Sequence, residues 1–207
     1  MTGTDDADVT VSTAPGANAA TVTIADDDTA TVSLAANDAA ASEPNDGGQF
    51  TVTMTAASDK DTIVNYSVTG TAGSGADFTA LSDSVTILAG STSAVIDVAT
   101  IDNGILEDNE TVIVTLTGTD DTDVTVDPAP GAATATVTIA DDDTATVSIN
   151  ATDATAAEPS DDGQFTVTMS AASDKDTVIS YAVIGTAGSG VDFTALAGSV
   201  TILSGAT

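Results

Sequence analysis

Carboxylates follow a strand-like run at two places in the sequence, and at both places three aspartates stand side by side. The stretch ATVTIADDDTATVS occupies residues 20–33 and returns unchanged at residues 135–148. Adjacent like charges repel one another, yet no turn residue separates the run before the aspartates from the run after them. Oxygen ligands of this kind suit hard divalent cations. Both triplets are therefore candidate cation ligands at a junction between strands.

The four glutamates stand beside turn-like segments, and their spacing argues against catalysis. Glu43 and Glu158 hold the same place in AxEPxDxGQFTV, whereas Glu107 and Glu110 lie in IDNGILEDNETV. The last two are neighbours in one predicted loop, and a glycosidase needs two carboxylates opposed across a cleft. The chain has no His, Cys or Arg, so it offers neither an imidazole base nor a thiolate nucleophile. We predict that the protein is not an enzyme.

The charge balance indicates which partners the chain can bind. The 32 acidic residues face only Lys60 and Lys175, which leaves a formal net charge of −30. Nucleic acids and anionic membranes require Lys and Arg for binding, so neither is an expected partner, whereas cations are. The lack of His and Cys disfavours zinc. No apolar run is long enough to insert into a membrane, and no signal peptide is visible.

The sequence repeats with a period of 115 residues, and about three quarters of the aligned pairs are identical. Residues 29–143 form one complete unit. Residues 1–28 match the end of a unit and are expected to be the C-terminal strand segment of a preceding module. Residues 144–207 match the start of a unit and are expected to be the N-terminal part of a following module. We therefore expect the chain to be a window of a longer array.

The complete unit has the pattern of an all-β domain. Apolar and polar residues alternate in short runs rich in Val, Ile and Thr, and clusters of Gly, Asp, Asn and Ser separate the runs. Seven strands in a unit of this length predict an immunoglobulin-like antiparallel β-sandwich, so that the chain consists of tandem sandwich modules. The predicted strands are 30–35, 49–56, 62–68, 84–88, 93–101, 111–117 and 135–140.

Such a sandwich brings alternate loops to one pole, which would gather about eight carboxylates in a small volume. They come from the loop after the first strand, the loop before the fourth, the loop between the fifth and sixth, and the chain exit. No Lys or Arg lies near them in the sequence. Calcium takes roughly 6–8 oxygen ligands in a flexible geometry, whereas magnesium demands a stricter octahedron and retains water. The cluster therefore favours calcium.

Four segments of the complete unit together resemble the Calx-β domain family: SEPNDGGQFTVTM, GTAGSGADF, IDNGILEDNETVIVTL and ATVTIADDD. The resemblance covers all of residues 29–143. It implies that calcium binds at one end of the sandwich, with Ile105 offering a backbone carbonyl. Asn103 stands where the family often has a second Asp, and its side-chain oxygen can still be a ligand. The carboxylate ligands implied by the resemblance are Glu43, Asp77, Asp102, Glu107, Glu110, Asp141, Asp142 and Asp143.

The two incomplete units carry counterparts of some of these ligands. By the same resemblance, Asp26, Asp27 and Asp28 would belong to a site whose other ligands precede this chain. Glu158 and Asp192 would belong to a site whose ligand loops follow it. Phe78 and Phe193 replace the Tyr that is usual in the family, a change expected to affect packing only.

Near-identical tandem units without cysteine resemble the extender regions of large bacterial surface adhesins. We therefore expect an extracellular structural repeat whose partners are neighbouring copies of the same module, joined head to tail and stiffened by calcium. Two alternatives stay open. One is a calcium-sensing regulatory module, as in the sodium–calcium exchangers. The other is a self-assembling filament subunit in which the strand-like segment 19–25 of one copy adds to another copy by donor-strand pairing.

Overall fold

The computed structural model describes residues 1–207 and contains thirteen β-strands. No helix in it has the length and apolar character needed to cross a bilayer. Residues 30–140 form a sandwich of two sheets, and residues 147–202 contribute two separate strand pairs. The all-β prediction for the chain is confirmed.

The first sheet of the sandwich has four strands, in the spatial order β6-β3-β1-β8. Its pattern follows the period of two expected for a half-buried strand, because Phe50, Val52 and Met54 in β3 are buried while the residues between them are more exposed. β1 pairs with β3 antiparallel and with β8 parallel. The strands are β1 (Ala30–Asp38), β3 (Gly48–Met54), β6 (Ser93–Val98) and β8 (Val124–Val126).

The second sheet has five strands, in the order β2-β9-β7-β4-β5. β7 is the central strand and pairs antiparallel with both β4 and β9. Its residues Val112, Val114 and Leu116 face the first sheet and are buried. The strands are β2 (Ala40–Ser42), β4 (Thr62–Gly70), β5 (Ser84–Ile87), β7 (Glu110–Thr119) and β9 (Thr134–Ala140).

One core of 18 buried apolar residues lies between the two sheets. The three aromatic residues of the unit, Phe50, Tyr66 and Phe78, all belong to it and are at most 5% exposed. Gly70, the last residue of β4, has φ +130°, and a Cβ there would collide with the Thr111 carbonyl oxygen. The end of β4 therefore needs glycine to approach β7 where the loop to Asp77 begins.

The second unit repeats the local structure of the first without its core. β10 (Val147–Asp153) pairs with β11 (Gln164–Met169) in the register of β1 and β3, and β12 (Thr177–Ser180) pairs with β13 (Ser199–Ile202). Phe165, the counterpart of the buried Phe50, is 65% exposed. Phe50 is covered by strands that have no counterpart after β13, which explains the difference.

Most predicted strands are found with ends shifted by a few residues, and three differences from the expectation are larger. The sequence pattern missed β2 and β8, which have three residues each and are too short to show an alternation. β6 ends at Val98 rather than at residue 101, because the chain turns there into the loop toward β7. Residues 1–28 contain turns but no strand, and Val22 and Ile24 are exposed. Their counterparts Val137 and Ile139 are strand residues in β9, which lies between β2 and β7 and pairs with both.

Candidate metal centre

Strand register brings four acidic segments to one pole of the sandwich. Ser42 at the end of β2 pairs with Ala140 at the end of β9, so Glu43 and Asp141 leave the sheet side by side. Glu110 at the start of β7 pairs with Ile139, and Gly70 at the end of β4 pairs with Val112. The loops that follow β2, β4, β6 and β9 therefore open at the same edge.

Two overlapping carboxylate triads occupy this pole. In the first, one oxygen each from Glu43, Asp102 and Asp143 lie within 4.8 Å of one another, and in the second the same is true of Glu43, Asp77 and Glu107. Glu43 belongs to both triads and is only 5% exposed, so it is the central residue of the cluster. A cation between these oxygens would receive ligands from four different loops.

Asp77 is held in place by a tight turn made from the GTAGSGADF segment. The Gly73 amide donates to Asp77 Oδ2 at 2.5 Å, and the Asp77 amide donates to the Gly73 carbonyl at 2.9 Å. The Ile101 amide donates to the Asp77 carbonyl at 2.9 Å and ties this turn to the loop after β6. Asp77 is 5% exposed, and its Oδ1 atom faces the cluster.

Asn103 links two of the carboxylates through its side-chain amide. Its Nδ2 atom donates to Asp77 Oδ1 at 3.2 Å and to Glu107 Oε2 at 3.0 Å, while its Oδ1 atom accepts from the Ile105 amide at 2.8 Å. In this arrangement the residue supplies donors between two anions. It separates two like charges, a task that a cation would otherwise perform.

The loop after β6 is also tied to the aspartate triplet that follows β9. The Glu107 amide donates to Asp141 Oδ2 at 3.0 Å, and the Asp143 amide donates to Asp141 Oδ1 at 3.2 Å. Asp141 therefore accepts from backbone on both sides and orders the start of the junction segment. Asp142 is exposed, whereas Asp141 and Asp143 are half-buried.

Crowding and burial raise the pKa values of three carboxyl groups at this pole. Burial is the largest cause for Glu43, whose pKa is raised further by the charges of Asp141 and Glu107. Burial, and then the adjacent Asp77, raise the pKa of Glu110 to about 7. Burial and then the charge of Asp141 raise the pKa of Asp143. Each shift means that the ionised carboxylate is destabilised where it stands.

The donor set fits a hard divalent cation. Three buried carboxylate oxygens of the cluster, Glu43 Oε2, Glu110 Oε2 and Asp143 Oδ2, have no hydrogen-bond partner. Buried oxygens of this kind are costly unless something neutralises them. The two lysines of the chain do not, because Lys60 pairs with Asp121 and Lys175 pairs with Asp108. Acidic clusters that could hold a metal ion are thus a feature of this fold.

The structure assembles most of the candidate residues and leaves the others apart. Ile105 lies in the assembled loop, with its side chain 38% exposed. Around the pole stand Glu43, Asp77, Asp102, Asn103, Glu107, Glu110, Asp141, Asp142 and Asp143. Their role as ligands stays a prediction.

The candidate residues of the incomplete units are not part of any such cluster. Asp26, Asp27 and Asp28 are exposed on residues 1–28, and Glu158 and Asp192 are exposed on the second unit. Asp192 nevertheless repeats the turn geometry of Asp77, since the Gly188 amide donates to Asp192 Oδ2 at 2.7 Å. The turn is therefore local in origin, whereas the cluster is not.

Sequence reasoning missed the other side of the loop after β6. The Leu106 backbone and the Asp108 side chain contact residues 172–175 of the second unit. A signal for this contact existed in the sequence. Lys60 and Lys175 are the only cationic side chains and occupy equivalent positions of the repeat, in the segment that follows the second predicted strand of each unit.

Comparisons with known proteins point to one family. The model of the Calx-beta domain matches residues 25–143 and 141–207. A search of curated proteins found no match. Among solved structures, the apo form of the Calx CBD1 domain is 19% identical, with a TM-score of 0.45, over 56% of this chain and 100% of that one.

Two longer solved structures are also similar. The calcium binding domain CBD12 of CALX1.1 is 21% identical, with a TM-score of 0.42, over 53% of this chain. The match spans 44% of that chain, so it covers less than half of the CBD12 structure. A two-domain protein of unknown function from Bacteroides fragilis is 10% identical, with a TM-score of 0.41, over 73% of this chain and 68% of that one.

Proposed function

Because this chain belongs to the Calx-β domain family, we propose that its complete unit binds calcium and that the bound ion stiffens the junction with the next unit. The observation that carries the proposal is the pair of triads sharing Glu43, with three buried oxygens that have no hydrogen-bond partner. Calcium matches an all-oxygen donor set of this size and irregularity. When bound, it supplies positive charge among carboxylates that otherwise repel one another.

The residues of this chain would hold the ion from both sides of the junction. Glu43, Asp77 and Glu107 come from the body of the complete unit, whereas Asp141 and Asp143 begin the six-residue segment 141–146 between β9 and β10. A ligand set that includes this segment orders it together with the loops of the sandwich. The direction in which the second unit leaves the first would then be held by the ion.

Thermal unfolding in calcium and in chelator tests this proposal. A ligand that binds only the native state stabilises it by about 2.7 kcal/mol at a free concentration 100 times its Kd, so calcium should raise the Tm. Glu43→Gln should abolish most of this rise, because Glu43 belongs to both triads. The matched control is Glu158→Gln at the equivalent position of the second unit, which should leave the rise unchanged. Equal Tm values with and without millimolar calcium would contradict the proposal.

For the parent protein, we propose a structural repeat of an extracellular bacterial surface adhesin or filament, in which successive units form a head-to-tail rod. The near-identical units, the absence of cysteine and the net charge of −30 support this reading. Extracellular modules use calcium sites with Kd values of about 10⁻⁴–10⁻³ M. Labelling intact cells with an antibody against residues 29–143 tests the location, and a signal seen only after cell lysis would overturn it.

A calcium-sensing regulatory module is the second candidate, favoured by the contact between the loop after β6 and the second unit. Sensor sites have Kd values of about 10⁻⁷–10⁻⁵ M, well below those of extracellular modules. Calorimetric titration of the chelator-treated chain with calcium separates the two. A micromolar Kd would favour sensing, and a Kd near millimolar would favour the structural repeat.

A further inference from the structure

We propose that residues 102–109, here named the acidic loop, form a docking surface for the following unit, whose hexapeptide AASDKD at residues 171–176 is the partner segment. The lysine of this hexapeptide, Lys175, is the residue that gives the contact its specificity. The docking is argued from hydrogen bonds and one ion pair between the two units. Its link to calcium rests on the proposed function.

Backbone pairing joins the acidic loop to the second unit. The Leu106 amide donates to the Ala172 carbonyl at 2.9 Å, and the Asp174 amide donates to the Leu106 carbonyl at 3.1 Å, which makes a parallel bridge between Leu106 and Ser173. The Ser173 hydroxyl donates to the same Leu106 carbonyl at 3.3 Å. Ser173 is only 5% exposed although the second unit around it is largely open. The acidic loop therefore covers this serine.

An ion pair closes the contact at its edge. Lys175 Nζ lies 2.6 Å from Asp108 Oδ1, and the pKa of Lys175 is raised chiefly by this bond. Both side chains are more than half exposed, so the pair adds little stability by itself. The pair matters for choosing the docking partner. Each repeat of 115 residues has one cationic side chain, and in the second unit this side chain meets the acidic loop of the preceding unit.

The equivalent lysine of the complete unit has a different partner. Lys60 Nζ lies 3.3 Å from Asp121 Oδ1 of its own unit, and Asp121 is buried. The two copies of this lysine therefore pair differently, Lys60 within its own unit and Lys175 with the acidic loop of the preceding unit. We expect the lysine to act as a latch that can pair either with the Asp121 position of its own unit or with the Asp108 position of a preceding unit.

A cavity marks the corresponding docking place on the complete unit. It has a volume of about 260 Å³ and is lined by its copy of the hexapeptide, here Ala57, Ser58 and Lys60, together with Asp28 and Asp121. Its hexapeptide, residues 56–61, is identical in sequence to residues 171–176. Five aspartates line the cavity and Lys60 is its one positive charge. By analogy with the backbone contact of Leu106 on Ser173, we expect the acidic loop of a preceding copy of the module to seat here beside Lys60.

The loop also connects docking to the metal centre. Glu107, which belongs to one triad, follows Leu106, and its amide is held by Asp141. One side of a short segment therefore faces the proposed ion while the other side faces the next unit. An ion that orders Glu107 fixes the backbone at Leu106 as well, so calcium should promote docking.

Disulfide trapping in the full chain tests the docking directly, because the natural sequence has no cysteine. Residues paired across a β-bridge stand about 4.8 Å apart, within the range that a disulfide spans. The double variant Leu106→Cys with Ser173→Cys should therefore form an intramolecular disulfide under mild oxidation. The control, Leu106→Cys with Ser58→Cys, should remain reduced as a monomer. A reduced monomer in both variants, each folded by circular dichroism, would overturn the docking.

The latch is tested on the same trapped pair. Lys175→Gln should slow disulfide formation about two- to fivefold, the effect expected for loss of an exposed ion pair. Lys60→Gln is the matched control and should leave the rate unchanged. Exchanging the charges, Asp108→Lys with Lys175→Glu, should restore the rate. If disulfide formation is equally fast with and without each of these three changes, the proposed role of the lysine is overturned.

Repeating the trapping in calcium and in chelator separates the docking from the proposed function. Faster trapping in calcium, abolished by Glu43→Gln, supports the coupling between ion and docking. Equal trapping in both media supports docking alone and counts against coupling. If no disulfide forms but calcium still raises the Tm, the docking is overturned and the proposed calcium site is not.

Discussion

Glu43 is a carboxylate whose ionised form is destabilised by its position in the folded protein. It is buried, it belongs to both triads, and one of its oxygens has no hydrogen-bond partner. Burial and neighbouring anions raise its pKa, as they do for Glu110 and Asp143. Without a cation the folded protein therefore holds protons at this pole that the unfolded chain would release.

The metal-free protein should lose stability as the pH rises from the ordinary pKa of these carboxyl groups to their raised pKa in the folded state. A carboxyl group whose pKa is higher in the folded state binds more protons there, so the free energy of unfolding falls with pH. For Glu110 the window runs from the ordinary value of 4.5 to about 7. Thermal unfolding in chelator should give a Tm several degrees lower at pH 7.5 than at pH 5.

Calcium should largely offset that loss of stability at pH 7.5, since it neutralises the same oxygens that the protons occupy at lower pH. A metal-free Tm that rises between pH 5 and pH 7.5 would contradict the sign argued for these carboxyl groups.

Asn103→Asp should lower the stability of the metal-free protein and raise its affinity for calcium. The amide of Asn103 donates to Asp77 and Glu107, and a carboxylate there would accept from neither and repel both. We expect a lower Tm in chelator and a calcium affinity raised by roughly tenfold, because affinity follows ligand charge count. Calorimetric titration and thermal unfolding measure the two effects.

Asn65→Asp, on the exposed side of β4, is the control for this charge change. It should alter neither quantity appreciably. A variant Asn103→Asp that binds calcium no more tightly than the natural chain would show that Asn103 lies outside the ligand sphere.

At the scale of elements, the central strand β7 and its neighbours hold the pole in place. β7 starts at Glu110, in the centre of the acidic segments, and its buried face packs into the core shared with the other sheet. The carboxylates project from loops whose ends are hydrogen-bonded into this sheet. The repulsion at the pole is therefore opposed by the apolar core beneath it.

Phe50→Ala should destabilise the complete unit by about 3–5 kcal/mol, the range for removing a buried phenylalanine. Phe50 is fully buried in the natural protein, whereas its counterpart Phe165 is 65% exposed. Phe165→Ala should accordingly change stability by no more than about 0.5 kcal/mol. Urea unfolding followed by far-ultraviolet circular dichroism measures both, and equal losses would contradict the difference in burial.

At the scale of the molecule, the sandwich and the second unit are joined by residues 141–146 and by the contact of the acidic loop with residues 172–175. The net charge of −30 pushes the two units apart when no cation screens it. The junction is therefore the place where ion binding changes the shape of the whole chain.

Small-angle X-ray scattering should detect this change. At constant ionic strength, we expect calcium to narrow the distribution of interatomic distances, because one relative placement of the units replaces many. Magnesium at the same concentration should have a smaller effect, since it keeps its water and demands an octahedron. Glu43→Gln should scatter alike in calcium and chelator, and a calcium response that survives this change would place the responsible ion elsewhere.

The sequence by itself was enough to predict the all-β fold, the repeat and the acidic segments of the pole, because these are local properties. A period of two predicts a half-buried strand wherever it occurs, and the turn that holds Asp77 recurs at Asp192 without any cluster around it. The loops with Glu43, Asp77 and Glu107 were expected to converge, and strand pairing brings them together. Strands β2 and β8 were missed because three residues are too few to show a period.

Only the tertiary structure decided which carboxylates are buried and what the two lysines bind. Glu43 and Glu158 have the same neighbours in sequence, yet one is 5% exposed and the other lies open to solvent. Lys60 and Lys175 likewise stand in identical hexapeptides and pair with Asp121 and Asp108 respectively. Burial and ion pairing depend on strands and loops far away along the chain, so identical segments acquire different properties where different partners surround them.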